Sequence, residues 1–178
     1  MTKRLICLLC LCFASFVALA TPLDDAIADL DGGRYEQAAA KLKPLAEAGD
    51  AVAQHRLSIL YFYGHGVPED ENAALSWAMK SANNGLADGM FFVANIYVFG
   101  DTVPVEADDP DLEAAKWYHE AASREHADAQ YSLGLMFLAG KGVIQSQEEA
   151  MKWIQRAADQ GHAGAKNFLG TGGHAGAK

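Results

Sequence analysis

The chain has 178 residues, of which 51% are hydrophobic and 21% are charged. This composition is typical of a globular protein, and the length favours one domain over several. The 14 Lys and Arg residues are outnumbered by 23 Asp and Glu residues, which gives a formal net charge of −9. Because nucleic-acid affinity comes from cationic side chains that release phosphate counterions, this balance excludes a nucleic-acid partner.

The first twenty residues have the organisation of a secretory signal peptide. Lys3 and Arg4 precede an apolar run over residues 5–19, and small residues flank Leu19 at the end of the run. We expect cleavage after Ala20 and a periplasmic or secreted protein. The run is shorter than the roughly 20 residues that cross a bilayer, so we expect no integral membrane segment after cleavage. An uncleaved anchor is the alternative.

All three cysteines, Cys7, Cys10 and Cys12, lie inside this apolar run. Cleavage would therefore remove every thiol, and the exported protein would have no disulfide, no thiolate nucleophile and no cysteine-based zinc site. We expect packing alone to hold the protein together.

Three tryptophans mark an internal repeat. They lie at positions 77, 117 and 153, so their spacings are 40 and 36 residues, whereas the glycines at 64, 100 and 140 are spaced by 36 and 40. Both series follow from a unit of 36 residues with one four-residue insertion between Val103 and Trp117. Self-similarity at such a period indicates a repeat architecture.

Each unit predicts two amphipathic helices. The first helices cover about 51–64, 87–100 and 127–140, where large apolar residues recur with helical spacing. A small residue follows the central apolar residue each time, which predicts that a neighbouring helix approaches closely. These small residues are Ser58, Ala94 and Gly134.

The second helices have recognisable caps. We expect them to begin near Asp70, Asp109 or Ser146, whose side chains can accept a hydrogen bond from the first turn. Two of them are expected to end at Asn84-Gly85 and Gln160-Gly161, because glycine adopts the left-handed conformation that closes a helix. Glu125 occupies the glycine position of the middle unit, so its cap is expected to be weaker.

These motifs resemble those of the Sel1-like repeat family, relatives of tetratricopeptide repeats. Residues 127–143, ADAQYSLGLMFLAGKGV, carry the resemblance together with 150–153 and 157–163, and 51–85 match almost as well through the turn YGHGVP. In the middle unit Asp101-Thr102 replaces the second glycine of that turn. The resemblance implies an all-α fold, an α/α superhelix or solenoid of stacked antiparallel helix pairs.

The repeat pattern gives an expected division of the chain. It comprises a signal peptide at 1–20, a degenerate N-terminal helix pair at 21–50, repeats at 51–86, 87–126 and 127–162, the start of a further helix at 163–170 and a disordered tail at 171–178. The tail duplicates the sequence GHAGAK of residues 161–166. Because a terminal repeat normally needs a polar outer face, we expect end-to-end self-association as a side effect.

The resemblance also implies a binding face and a function. The family serves as a scaffold or adaptor for protein partners, and in tetratricopeptide repeats the first helices line the concave face. Transferred to this chain, that face accepts a protein or peptide, with aromatic anchors and with His55 and Asn95 as polar fixing points. The alternative is that these side chains are buried against the adjacent repeat. The positions are His55, Ile59, Phe62, Phe91, Asn95, Val98, Tyr131, Leu135 and Leu138.

No catalytic motif is found. The sequence has no H-E-x-x-H, S-x-x-K or G-x-S-x-G motif and no phosphate-binding loop, and its histidines share no metal-like spacing, so we interpret them as surface or turn residues. The acidic residues 106–113 lack the order of a calcium loop and favour a loop with Asp109 as helix cap. We therefore predict a non-enzyme with no cofactor, no metal site and no catalytic residue.

Two alternative functions remain open. One is an envelope enzyme acting on cell-wall or β-lactam substrates, an activity linked to cysteine-rich relatives whose cysteines this chain lacks. The other is an immunity or regulatory protein that inhibits a toxin or an envelope enzyme.

Overall fold

The structure is a computed structural model that describes residues 20–101 and 109–171. In this part of the chain all regular elements are α-helices, which confirms the predicted all-α solenoid. The predicted signal peptide, the inserted loop at 102–108 and the duplicated tail at 172–178 lie outside the described residues, apart from Ala20. The helices are α1 (Pro22–Asp31), α2 (Tyr35–Glu47), α3 (Ala51–Tyr63), α4 (Glu71–Asn83), α5 (Ala87–Phe99), α6 (Pro110–Ser123), α7 (Ala127–Ala139), α8 (Gln147–Asp159) and α9 (Ala163–Gly170).

The helices pair in the order of the chain. Each helix packs on the one before it and the one after it, so α3 with α4, α5 with α6, and α7 with α8 form the three complete pairs. Helices α1 and α2 form the pair in front of them, and α9 packs on α8. We refer to α3, α5 and α7 as the first helices and to α4, α6 and α8 as the second helices of the three repeats.

The predicted caps of the second helices are confirmed. The side chains of Asp70, Asp109 and Ser146 accept hydrogen bonds from the backbone N–H three residues further on, at 2.9, 3.1 and 3.2 Å. Pro110 occupies the first turn of α6, where its missing N–H has no helical partner to lose. The starts of these helices were therefore readable from local residues alone.

Glycine follows most of the helices that end in a left-handed turn. Gly64 and Gly140 end α3 and α7 with φ of 64° and 67°, and Gly85 and Gly161 follow α4 and α8 with φ of 88° and 96°. Glu125 adopts the same conformation after α6, with φ of 61°, which is uncommon for a residue with a side chain.

Small residues set the distance between paired helices, as the sequence predicted. Gly134 of α7 faces α8 so closely that a Cβ atom there would lie 2.6 Å from Ile154 Cγ1. Alanines of the second helices, such as Ala78, Ala121 and Ala157, are fully buried. The core is therefore a seam along the stack rather than one central cluster, because each pair buries its apolar stripe against the next pair.

The first helices α3 and α5 are in direct contact. Helices α3 and α5 contact each other directly across the intervening α4, through the rings of Phe62 and Phe92, whose centroids are 5.6 Å apart. The second helices of successive repeats make no comparable contact in the described residues. The surface formed by α3, α5 and α7 is called the inner face below.

Candidate binding face

The nine residues predicted for a binding surface all lie on α3, α5 and α7, and they occupy one stripe of each helix. The spacing is the same in all three repeats, because His55, Phe91 and Tyr131 hold equivalent positions four residues after the helix start. Residues three or four apart along a helix lie on the same side, so each stripe continues in the direction of the helix C-terminus. The remaining members are Ile59 and Phe62, Asn95 and Val98, and Leu135 and Leu138.

Five of the nine form an open apolar surface. Val98 and Leu135 are 37% and 38% exposed, which is high for large apolar side chains at the centre of a repeat stack. Ile59, Phe62 and Leu138 are half-buried. Apolar area that faces water in a continuous patch usually marks a site of contact with another molecule.

His55 is different, because it is only 8% exposed. Its ring meets the edge of Phe92 at a centroid distance of 5.7 Å, and its Nδ1 is buried without a hydrogen-bond partner. Burial lowers the pKa of His55 to about 4, so the imidazole is neutral at physiological pH. The expected role as a polar fixing point does not fit this placement, and His55 belongs to the floor beneath the inner face.

Asn95 is also engaged within the protein. The hydroxyl of Tyr118 in α6 donates a hydrogen bond to Asn95 Oδ1 at 2.7 Å. Burial raises the pKa of Tyr118 to about 12, so this hydroxyl stays protonated and remains a donor. The Asn95 carbonyl therefore ties α5 to α6, and one of its two acceptor positions is already used within the protein.

Phe91 and Tyr131 are each covered on one side by the histidine that ends the same repeat and caps the next first helix. The ring of His126 stacks on Phe91, and that of His162 packs on Tyr131, both with centroids 4.6 Å apart. Each aromatic residue is half-buried as a result. These two side chains are therefore partly used in joining repeats.

The two histidines are the functional groups that sequence reasoning missed. His126 and His162 are the N-caps of α7 and α9, and each Nδ1 accepts a backbone N–H, from Ala129 at 3.2 Å and from Ala165 at 3.0 Å. Their interpretation as surface or turn residues overlooked this role. The available signal was their position directly before a helix start, the position that the capping Asp50 holds in the first repeat.

Each capping histidine also contacts a carboxylate of the preceding first helix. His126 Nε2 lies 3.2 Å from Asp88 Oδ1, and His162 Nε2 lies 3.1 Å from Asp128 Oδ1. Because Nδ1 accepts the backbone hydrogen bond, Nε2 is the nitrogen that donates toward the carboxylate. Both ring nitrogens are occupied, which leaves neither to act as a general base.

The described residues contain no arrangement typical of a metal site or of a membrane-spanning segment. Within them no group of three or more His, Cys, Asp or Glu side chains is placed to hold a metal ion. No helix in the described part of the chain combines the length and the apolar character that crossing a bilayer requires.

A second apolar groove lies away from the inner face, between α6 and the turn that follows α7. It encloses about 430 Å³ and is lined by Leu112, Phe137 and Val143, with Lys116 and His119 at its rim. None of the nine predicted residues belongs to it, so it is a separate feature of the surface.

Comparison with known proteins places these features in a family. The model of the Sel1 repeat matches residues 51–86, 87–126 and 127–162. The ERAD-associated E3 ubiquitin-protein ligase component HRD3B of Arabidopsis thaliana is 35% identical over 100 residues, which are 55% of this chain and 15% of that protein. The chain thus spans a small part of this curated relative.

Solved structures give the same result. The crystal structure of a Sel1 repeat protein from Oxalobacter formigenes superposes with a TM-score of 0.74 at 30% identity, over 83% of this chain and 59% of that one. A protective antigen present in uropathogenic Escherichia coli strains, which displays an SLR fold, superposes with a TM-score of 0.70 at 30% identity, over 82% of this chain and 33% of that one.

Proposed function

Because the chain belongs to the Sel1 repeat family, we propose that it is a non-catalytic scaffold of the cell envelope that holds a protein or peptide partner on its inner face. Sel1 repeat proteins are generally scaffolds for protein–protein interactions and are typically non-catalytic. The relative HRD3B is by its name a component of a larger ligase assembly. The proposal for this chain extends that general role to a particular surface and compartment.

The observation that carries the proposal is the row of apolar side chains left open on three successive first helices. Val98 and Leu135 are more than a third exposed, whereas Val93 and Leu133 of the same helices are buried in the core. Of the polar groups near this row, Asn95 ties α5 to α6 and the histidines cap α7 and α9. An apolar surface on rigid helices is suited to binding rather than to proton transfer.

A position-specific crosslinking experiment tests the binding surface. A photoreactive amino acid replaces Leu135 in the full chain expressed in a bacterial host, and the control replaces Ile144, which is 90% exposed and lies in the turn after α7. We expect one discrete crosslinked product from position 135 and none from position 144. Equal products from both positions would show general stickiness and would contradict the proposed surface.

The envelope location rests on the first twenty residues. Their basic start, apolar run and small residues before Thr21 support export followed by cleavage. Fractionation of cells that express the full chain, with N-terminal sequencing of the product, tests this part separately. We expect a periplasmic or secreted protein that begins at Thr21, and a cytoplasmic product that retains Met1 would refute it.

Self-association forms the last part of the proposal. Helix α9 continues the series of first helices, and its residues Phe168 and Leu169 are only half-buried against α8. We expect this end of the stack to associate with a second copy. Sedimentation velocity over a hundredfold range of concentration should show a dimer that Leu169→Gln weakens, whereas a constant monomer would contradict this expectation.

A further inference from the structure

Charge is distributed unequally between the two sides of the repeat stack. The three first helices α3, α5 and α7 carry three charged residues among them, Arg56, Asp88 and Asp128. The other cations of the described helices lie on α2, on the second helices and on α9. They are Lys41, Lys43, Lys80, Lys116, Lys152, Arg156 and Lys166.

The two carboxylates of the inner face hold equivalent positions in successive repeats. Asp88 is the second residue of α5 and Asp128 is the second residue of α7, and their side chains are 55% and 61% exposed. The Nε2 of the histidine that ends the same repeat lies 3.2 Å from Asp88 Oδ1 and 3.1 Å from Asp128 Oδ1, which orients each carboxylate. The inner face therefore presents two ordered negative charges that face water.

These carboxylates begin the same stripes that carry the open apolar residues. On α7 the residues Asp128, Leu135 and Leu138 follow at intervals of seven and three, which places them on one side of the helix. On α5 the corresponding stripe contains Asp88 and Val98. At 1.5 Å of rise per residue, each carboxylate lies about 15 Å from the far end of its stripe. The apolar floor thus has an anionic edge along the starts of α5 and α7.

We infer that the segment bound by the inner face is cationic as well as apolar. Its apolar side chains cover Ile59, Val98 and Leu135, and its Lys or Arg side chains pair with Asp88 and Asp128. Since His126 contacts Asp88 and precedes Asp128 by only two residues, an extended segment crossing from α5 to α7 can reach both carboxylates with cations a few residues apart. This inference depends on the proposed function, because it specifies the partner of the same surface.

Charge complementarity of this kind contributes to orientation and selection more than to total affinity. A neutral or acidic segment of equal apolarity would leave the two carboxylates desolvated or repelled. A segment that is apolar along one edge and basic along the other can place its apolar side chains on the floor and its cations at the anionic edge. The chain therefore selects among apolar segments by their charge.

Selection from a random library of displayed twelve-residue peptides tests the inference without assuming a sequence. The bait is the protein purified from cells that express the full chain, and the enriched peptides are measured by fluorescence anisotropy. The test variant is Asp88→Asn with Asp128→Asn, because the amide oxygen still accepts the histidine hydrogen bond. The matched control is Glu36→Gln with Glu47→Gln, which removes two exposed carboxylates from α2.

We expect enriched peptides with a net positive charge and at least two large apolar residues. Their affinity should fall about fivefold in the double Asn variant at low ionic strength and stay within about twofold in the control. The fivefold difference should shrink at 0.5 M salt, because exposed charges are then screened.

The other outcomes separate the two levels of the proposal. Enrichment of neutral or acidic peptides that lose binding in Val98→Ser with Leu135→Ser, but not in the Asn variant, would overturn the charge selection and leave the inner face as the site. Peptides unaffected by either pair of substitutions would overturn the proposed surface itself. Failure to enrich any peptide would count against both.

Discussion

The middle repeat (87–126) and the third repeat (127–162) each consist of one helix pair, but the two repeats contact the preceding repeat in different ways. In the third repeat the turn after α7 brings Gly142, with φ of 63°, against the backbone at Asp111 and Leu112, where α6 begins. In the middle repeat Gly100 is extended, with φ of −72°, and the Asp101 N–H donates a hydrogen bond of 3.0 Å to Glu71 Oε1. The turn therefore reaches the preceding second helix in both repeats, once through backbone contact and once through a side chain.

A second difference lies inside the junctions. Gln130 of the third repeat is fully buried, and its amide donates to the Ala122 carbonyl at 3.1 Å while its carbonyl accepts from Gln160 at 2.7 Å. Gln54 makes the corresponding bonds to the Ala46 carbonyl and Asn84. The middle repeat has Met90 at this position. The family fold thus tolerates either a polar or an apolar side chain at this buried position, provided that a polar side chain has hydrogen-bond partners within the junction.

The largest expected effect comes from adding a methyl group to the glycine turn of the third repeat. Gly142→Ala places a Cβ atom into the Asp111 carbonyl at a left-handed backbone position, so the free energy of unfolding should fall by about 3 kcal/mol. Gly161→Ala is the matched control, because it is also left-handed but meets only the Lys166 Nζ at 3.8 Å, and it should cost about 1 kcal/mol. Urea denaturation followed by circular dichroism measures both. Equal losses would show that backbone conformation alone matters at position 142.

Among the equivalent positions 55, 91 and 131 only the first is a histidine, so we expect His55 to make the free energy of unfolding depend on pH. The pKa of His55 is lowered by burial to about 4, so the unfolded chain takes up a proton that the folded chain does not as pH falls below about 6.5. His55 should therefore reduce the free energy of unfolding progressively between pH 6.5 and pH 4, by about 3 kcal/mol at most. His55→Phe, which copies Phe91, should remove this part of the pH dependence. A slope that survives in His55→Phe would contradict the assignment.

Exchanging the buried amide of one junction for the residue of another tests whether each junction is complete by itself. Gln130→Met should lower the free energy of unfolding by about 2 kcal/mol, because the Ala122 carbonyl and Gln160 lose a buried partner. Gln54→Met should cost a similar amount, whereas Met90→Leu should cost less than about 1.5 kcal/mol. Thermal and urea unfolding provide the values. A neutral Gln130→Met would mean that the polar junction is interchangeable with the apolar one.

The smallest expected effect is at the junction between the first and middle repeats. A Cβ atom at Gly89 would lie 2.5 Å from Ser81 Oγ, whereas the two later junctions place two alanines at these positions, Ala121 with Ala129 and Ala157 with Ala165. Gly89→Ala should cost about 1 kcal/mol, and Ser81→Ala in the same chain should recover only part of this loss, because the Cβ of residue 81 remains 2.8 Å away and the Ser81 hydrogen bond to the Ala51 carbonyl is removed. A double-mutant cycle measures the coupling. Additive effects would show that the two residues do not constrain each other.

The sequence predicted the features that depend on neighbouring residues. Asp70, Asp109 and Ser146 identify helix starts because a cap needs only the next three backbone N–H groups, and Gly134 indicated close packing because its whole stripe is visible in one helix. The apolar stripes of the three repeats predicted the solenoid in the same way.

The features that the sequence could not predict depend on how repeats stack. His126 reaches Asp88 and His162 reaches Asp128 from the opposite end of the same repeat, and no local pattern fixes that approach. His55 is buried while its equivalents Phe91 and Tyr131 are half-buried, because Phe92 of the next first helix covers it. Exposure on the inner face is set by the curvature of the stack, which is the sum of many small contacts.

In the described residues each helix packs mainly on helices that are close to it in the sequence. This pattern also determines how the chain folds. Since α3 with α5 is the most distant pair of helices in substantial contact within the described residues, mean sequence separation of contacts is low, which is characteristic of rapid folding. A segment emerging N-terminus first can complete each pair without waiting for distant sequence. Unfolding should begin at α9, whose cluster with Ile154 and Ala157 is the smallest of the three, and advance repeat by repeat. A whole repeat can thus be gained or lost in evolution while the remaining ones keep their structure.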